Sequence, residues 1–122
     1  MNLDLRERTK KYALRIIRLY TKLPRNELGR VLGKQLLRSG TSVGANFREG
    51  FRARSKAEYM AKLGICIQEL DETAYWLELL SDANIIQPTR LTDIQDETDQ
   101  LIAILTTIVK KTRQNLSATR KR

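Results

Sequence analysis

The chain of 122 residues contains no histidine and only one cysteine. Without an imidazole there is no Ser-His-Asp triad, no histidine general base, no Glu-x-x-His di-iron bundle and none of the usual zinc sites. A lone Cys66 forms no intrachain disulfide, and inside the apolar run Ile65-Cys66-Ile67 it reads as a small buried side chain in a reducing compartment. Proline (2) and glycine (6) are scarce, which argues against a loop-rich or low-complexity chain. No stretch approaches 18 uninterrupted apolar residues, and the charged start Met1-Asn2-Leu3-Asp4-Leu5-Arg6-Glu7-Arg8 has no apolar segment behind it. These absences predict a cytoplasmic protein with no membrane partner, no metal and no cofactor.

Hydrophobic residues at 41% and charged residues at 30% describe a globular chain, and its length suits one domain with one core. Four segments read as helices, at about residues 4–22, 26–52, 55–83 and 89–114, with a basic tail over 115–122 that ends in Arg120-Lys121-Arg122. Pro24 stops the first, Asn26 caps the second, and Ser55 with Glu58 forms a capping box for the third. In the third segment Met60, Leu63, Ile67, Leu70, Ala74 and Leu77 alternate steps of three and four residues. Leu91, Ile94, Thr98, Leu101, Leu105 and Ile108 do the same in the fourth. Such stripes pack knobs into holes, and no run alternates with period two. The expected fold is all-α, an antiparallel up-down four-helix bundle with short loops.

The second segment carries Gly29, Gly33, Gly40 and Gly44, each costing about 1 kcal/mol relative to alanine in a helix. Close approach of a neighbouring helix, of this chain or of another subunit, accounts for them. A break near Ser39-Gly40 that bares backbone to a ligand is the alternative.

The net charge of +9 hides a polarised molecule. Residues 1–54 hold 14 basic and 4 acidic groups, residues 55–109 hold 3 and 10, and residues 110–122 hold 6 and none. On the first helix Arg8, Lys11, Arg15, Arg18 and Lys22 fall on one stripe, while Leu5, Tyr12, Ile16, Leu19, Tyr20 and Leu23 gather on another side and face the core. In an up-down bundle Lys110, Lys111 and Arg113 lie near the start of that helix and extend its basic surface. A solvated face is the plain reading of such a run, but five like charges at helical spacing repel and do not stabilise the helix. Binding of nucleic acid through its phosphates, driven by counterion release, explains them better. No motif for base-specific recognition is present. Asp71, Glu72, Glu78, Asp93, Asp96, Glu97 and Asp99 do not bind phosphate; they either solvate a face or pair with basic groups of a neighbouring copy.

The run Gln35-Leu36-Leu37-Arg38-Ser39-Gly40-Thr41-Ser42-Val43-Gly44-Ala45-Asn46-Phe47-Arg48-Glu49-Gly50, with Ser55-Lys56-Ala57-Glu58-Tyr59 and Gln68-Glu69-Leu70, carries a resemblance. Over about residues 5–113 the chain resembles the bacterial four-helix bundle proteins encoded within intervening sequences of large-subunit ribosomal RNA genes. That family is similar to the accessory variability determinant of diversity-generating retroelements. The resemblance implies a homopentameric, barrel-like ring with a basic surface, and no established enzymatic activity. In the retroelement relatives the ring binds nucleic acid and engages a reverse transcriptase. Ser42, Asn46, Glu49 and Gly50 match the central Ser-x-x-x-Asn-x-x-Glu-Gly pattern, whereas Arg8, Lys11, Arg15, Arg18 and Lys22 match the basic first helix in character only.

From the residues alone, Ser42, Asn46 and Glu49 share a helical face, where hydrogen bonding would fix a helix junction or a subunit contact. Trp76 beside Tyr75 reads as packing rather than as a stacking platform for a base. The expected function is that of a non-enzymatic, oligomeric nucleic-acid-binding accessory protein. An adaptor with an acidic protein partner is the alternative. A metal-free helical enzyme using Arg15, Lys22, Gln35 and Glu49 is a remoter one.

Overall fold

The computed structural model describes the backbone of residues 2–120 and the side chains of residues 4–118. Among the described residues the chain forms four α-helices and no strand: α1 (Asn2–Thr21), α2 (Glu27–Phe51), α3 (Lys56–Asp82) and α4 (Thr92–Arg120), with a 3-10 turn at Pro88–Arg90. Each helix packs on the next in the chain, α1 on α2, α2 on α3 and α3 on α4, while α1 and α4 approach at few points. The result is an up-down four-helix bundle. No helix is long and apolar enough to cross a membrane.

The helix ends follow local chemistry. α1 winds down through Lys22 N–H to Leu19 O (3.0 Å) and Leu23 N–H to Tyr20 O (3.2 Å) before Pro24. The Asn26 side chain accepts from Gly29 N–H at 2.8 Å, and the Ser55 hydroxyl accepts from Glu58 N–H at 3.1 Å. Glu58 reaches back to Arg54 N–H (3.2 Å), one residue before the cap itself. α3 ends with Asn84 at φ 58, its N–H bonded to Ser81 O and that of Ile85 to Leu80 O, the paired closure that a left-handed residue permits.

Two boundaries differ from expectation. The fourth segment opens as the separate 3-10 turn, because Pro88 lacks an N–H and Leu91, not Thr89, accepts the first bond of α4 (from Gln95, 2.9 Å). At the other end α4 continues past residue 114 to Arg120, since nothing in 115–118 breaks a helix. Lys121 and Arg122, with the side chain of Arg120, lie outside the described residues.

Leu36, Val43, Phe47, Leu63, Leu70, Leu77, Leu80, Leu101 and Leu105 are fully buried at the centre, each leucine contributing about 1.5–3 kcal/mol. The α4 stripe is buried as expected from Leu91 to Leu105, with Ile108 half-buried. On α3 the core line is Leu63, Cys66, Leu70, Thr73, Leu77 and Leu80, and the expected Met60, Ile67 and Ala74 are only half-buried. α3 lies between α2 and α4, so both of its flanks are covered and apolarity alone does not single out the innermost line. Cys66 and Thr73 win it because each has an acceptor there: the Cys66 thiol faces Val43 O (3.4 Å), and the Thr73 hydroxyl has Glu69 O at 2.7 Å and Ser39 Oγ at 2.8 Å.

The α2 glycines serve close approach within the chain. α2 runs unbroken through Ser39-Gly40, and a Cβ at Gly40 would stand 2.8 Å from both Cγ atoms of Ile16, whose branched side chain has little room to turn away. At Gly29 a Cβ would overlap the Pro24 carbonyl of the preceding turn.

Candidate nucleic-acid interface

The cations of α1 divide according to what α4 places opposite them. Near the start of the helix, Arg8 is bound: its Nε and Nη2 donate to the two Glu97 carboxylate oxygens at 2.8 and 2.7 Å, and Nη2 also reaches Gln100 Oε1 at 2.9 Å. This two-pronged bond holds the guanidinium pKa above its ordinary value. One turn on, Tyr12 and Thr98 share a buried hydrogen bond of 2.7 Å. Burial pushes the Tyr12 phenol up to about 12, although the Thr98 bond opposes the shift.

Beyond Tyr12 the α1–α4 seam opens. Arg15, Arg18 and Lys22 from α1 and Arg90 from the 3-10 turn line a recess of about 250 Å³. Leu19, Ile86 and Ile94 supply its apolar part, and Asp93 is its one acidic group. None of the four cations forms an ion pair with any described residue. Two other cations facing another helix are matched, Arg38 by Glu69 (3.2 Å) and Glu72 across α2–α3 and Lys62 by Glu49 (3.3 Å), while Arg6 lies over the Phe51 ring. The recess therefore concentrates positive charge that Asp93 offsets only in part.

Arg90 is the residue that the sequence reading passed over. It sits in the acidic part of the chain, away from the basic stretches, but up-down topology puts the α3–α4 connection at the same end of the bundle as Lys22. That topology was the available signal. Lys11 is exposed on the stripe between Arg8 and Arg15. Lys110, Lys111 and Arg113 are exposed on α4, but the antiparallel register, with Arg8 against Gln100 and Lys22 beside Arg90, places them towards the start of α1. They lie at the opposite end from the recess and do not join it.

Of the Ser42, Asn46, Glu49 and Gly50 pattern, only Glu49 and Gly50 meet α3. The Ser42 hydroxyl donates to Arg38 O (2.6 Å) and the Asn46 amide to Ser42 O (2.9 Å), both within α2. Glu49 is exposed and paired with Lys62, and Gly50 is buried where a Cβ would stand 3.0 Å from Lys62 Cβ. Glu49 thus lies at the opposite end of the bundle from Lys22, so Arg15, Lys22, Gln35 and Glu49 form no common pocket. Of the acidic residues, Glu72 and Glu97 are occupied by Arg38 and Arg8, while Glu78, Asp96 and Asp99 line a groove of about 350 Å³ between α3 and α4. Cys66 is fully buried and its thiol is pushed up to about 12 by that burial, which leaves it unreactive at neutral pH. Trp76 is half-buried against the core, its ring 5.3 Å from that of the exposed Tyr75.

The fold and the charge pattern define a small helical-bundle protein with a basic α1–α2 side and an acidic α3–α4 side. The chain belongs to the 23S rRNA-intervening sequence protein family, whose model matches residues 1–107. It is also similar to a crystal structure from Bacteroides thetaiotaomicron, a protein with unknown function from the S23 ribosomal protein family. The two are 37% identical and superpose with a TM-score of 0.84, over 89% of this chain and 97% of that one. No curated protein matches the chain.

Proposed function

We propose that this protein is a non-enzymatic, oligomeric accessory protein that binds nucleic acid through its phosphates. The observation that carries the reading is the group of four cations, Arg15, Arg18, Lys22 and Arg90, around one recess and unpaired among the described residues, where Arg8, Arg38 and Lys62 each meet a carboxylate of another helix. Phosphates of RNA or DNA satisfy such a site and release condensed cations on binding. Membership of a family named for intervening sequences of 23S ribosomal RNA agrees with an RNA partner. The homopentameric ring, and assistance to a reverse transcriptase or action on ribosomal RNA, follow from the resemblance, the cytoplasmic setting follows from the sequence itself, and all belong to this proposal. Self-assembly has support in the exposed apolar side chains Leu14, Ile17, Leu28 and Val31 on α1 and α2, and in the acidic α3–α4 groove that complements a basic face.

The test is binding of nuclease-stripped protein to structured RNA, single-stranded DNA and duplex DNA across a salt series. Arg15→Glu with Arg18→Glu should weaken binding at least about tenfold and flatten the log–log salt slope by about two, with helicity and oligomeric mass unchanged. Undiminished binding by that variant would remove the recess from the interface. Absence of binding by the unmodified protein at low salt would favour an adaptor that docks an acidic protein.

A further inference from the structure

We infer that the recess at the α1–α4 end is a pocket for a terminal phosphomonoester of a nucleic-acid strand, and not simply one stretch of a backbone track. The inference rests on the nucleic-acid reading above and deepens it.

Three observations lead there. First, the cations converge. Arg15, Arg18 and Lys22 come from the last turns of α1 and the residue after it, and Arg90 comes from a separate element across the recess. A ridge along one helix suits the spaced single charges of internal phosphodiesters. A recess lined by four cations and one acid concentrates a net +3 on one point, which better matches a terminal phosphate with about −1.5 to −2 charge and three acceptor oxygens. Second, the recess has an apolar side. Leu19, Ile86 and Ile94 line it beside the cations, and the half-buried Leu19 leaves the most hydrocarbon open. The last base of a strand has no stacking neighbour on one face and gains by covering such a surface. Third, the recess is small. About 250 Å³ falls below the roughly 300–1,000 Å³ of pockets that enclose a whole drug-sized ligand, a size that suits a phosphate group.

Helix electrostatics do not explain the cluster. Basic residues in the last turn of α1 complement its negative end, which accounts for Arg18 and Lys22. Arg15 lies further back, and Arg90 stands before the positive N-terminus of α4, where a cation is unfavourable without an anion. Asp93, in the first turn of α4, is placed where that helix end favours a carboxylate, and it leaves the cationic excess in place.

The experiment compares one fluorescent single-stranded oligonucleotide in three forms: 5′-phosphorylated, 3′-phosphorylated and with both ends hydroxyl. Anisotropy is read at constant salt, and adenosine 5′-monophosphate against adenosine is followed by amide chemical shifts. One phosphorylated end should raise affinity at least fivefold over the hydroxyl strand, and which end does so identifies the polarity. Arg90→Gln, a change on an exposed turn, should weaken the phosphorylated strand at least fivefold more than the hydroxyl strand, so that the increment disappears. Equal affinity for all three forms overturns the pocket and leaves the nucleic-acid reading standing. Shifts with the monophosphate around Arg90, but no binding of any strand, would leave a phosphomonoester pocket and overturn the nucleic-acid reading, and with it a strand end as the occupant. Silence in both assays overturns both.

Discussion

α1 makes two unlike seams. Towards α2 it lies close, with Ile16 seated on Gly40, and Tyr20 and Leu23 against Gly33, so the contact is apolar and its register is set by shape. Towards α4 it stands off, and long side chains bridge the gap: Arg8 to Glu97 and Gln100, then Tyr12 to Thr98. Where those bridges stop, the gap becomes the recess and the cations lose their partners. A tight seam leaves no room for a ligand. The wide seam is held by polar bonds near the start of α1 and opens into the recess near its end. Of the five cations on one stripe of α1, Arg8 is thus bonded to α4, Arg15, Arg18 and Lys22 line the recess, and Lys11 does neither; α4, not α1, decides which is which.

The largest expected effect comes from forcing the tight seam. Gly40→Val would push two methyl groups into Ile16 and should destabilise the fold by about 3 kcal/mol, read as a lower urea midpoint. Gly64→Val is the control, since a Cβ there meets nothing within 4 Å. Similar losses at both positions would mean that the cost comes from β-branching in a helix and not from the α1–α2 contact.

Much of this was legible in the sequence. Helix number, order and caps follow from Pro24, Asn26, Ser55 and Glu58, and the α4 core line from its apolar spacing. The glycines of α2 pointed to close packing, although the partner is α1 of the same chain. The line actually buried on α3 was not legible, because a helix covered on two sides has several apolar stripes of similar quality. Nor was the split among the α1 cations: pairing depends on Glu97 and Gln100, some 90 residues away, and on an antiparallel register that no local pattern encodes. Arg90 was hidden for the same reason. Its neighbours in sequence are acidic, and its neighbours in space come from α1.

Breaking the wide seam should cost less. The Arg8 side chain is 33% exposed and that of Glu97 16%, so Arg8→Ala strands a mostly buried carboxylate and should cost about 2 kcal/mol. Arg18→Ala, which breaks no bond from its guanidinium, should stay within about 0.5 kcal/mol. In nucleic-acid binding the order should reverse, with Arg18→Ala the more harmful. Equal stability losses for the two would dissolve the distinction between bound and free cations, and a double-mutant cycle of Arg8 with Glu97 would show whether the pair is coupled at all.

The smallest effect depends on pH. The Tyr12 phenol ordinarily ionises near pH 10, but in the folded chain only at about 12, because the bundle disfavours the buried anion. Between those values the unfolded chain gives up its proton first. The stability associated with Tyr12 is therefore complete below pH 10 and declines as pH rises towards 12, by about 1.4 kcal/mol per unit at its steepest. Cys66 adds a loss of the same sign, from 9.0 towards about 12. Tyr12→Phe removes the phenol's share and leaves that of the thiol. Its stability at pH 9 should be lower by about 1 kcal/mol for the lost Thr98 bond; Thr98 keeps a partner in Ile94 O at 2.7 Å. Between pH 10 and 11 the variant should then lose about 1 kcal/mol less than the unmodified chain, as read by urea midpoints. Parallel losses would mean that water reaches the Tyr12 hydroxyl, and that the wide seam is open along its whole length and not only at the recess.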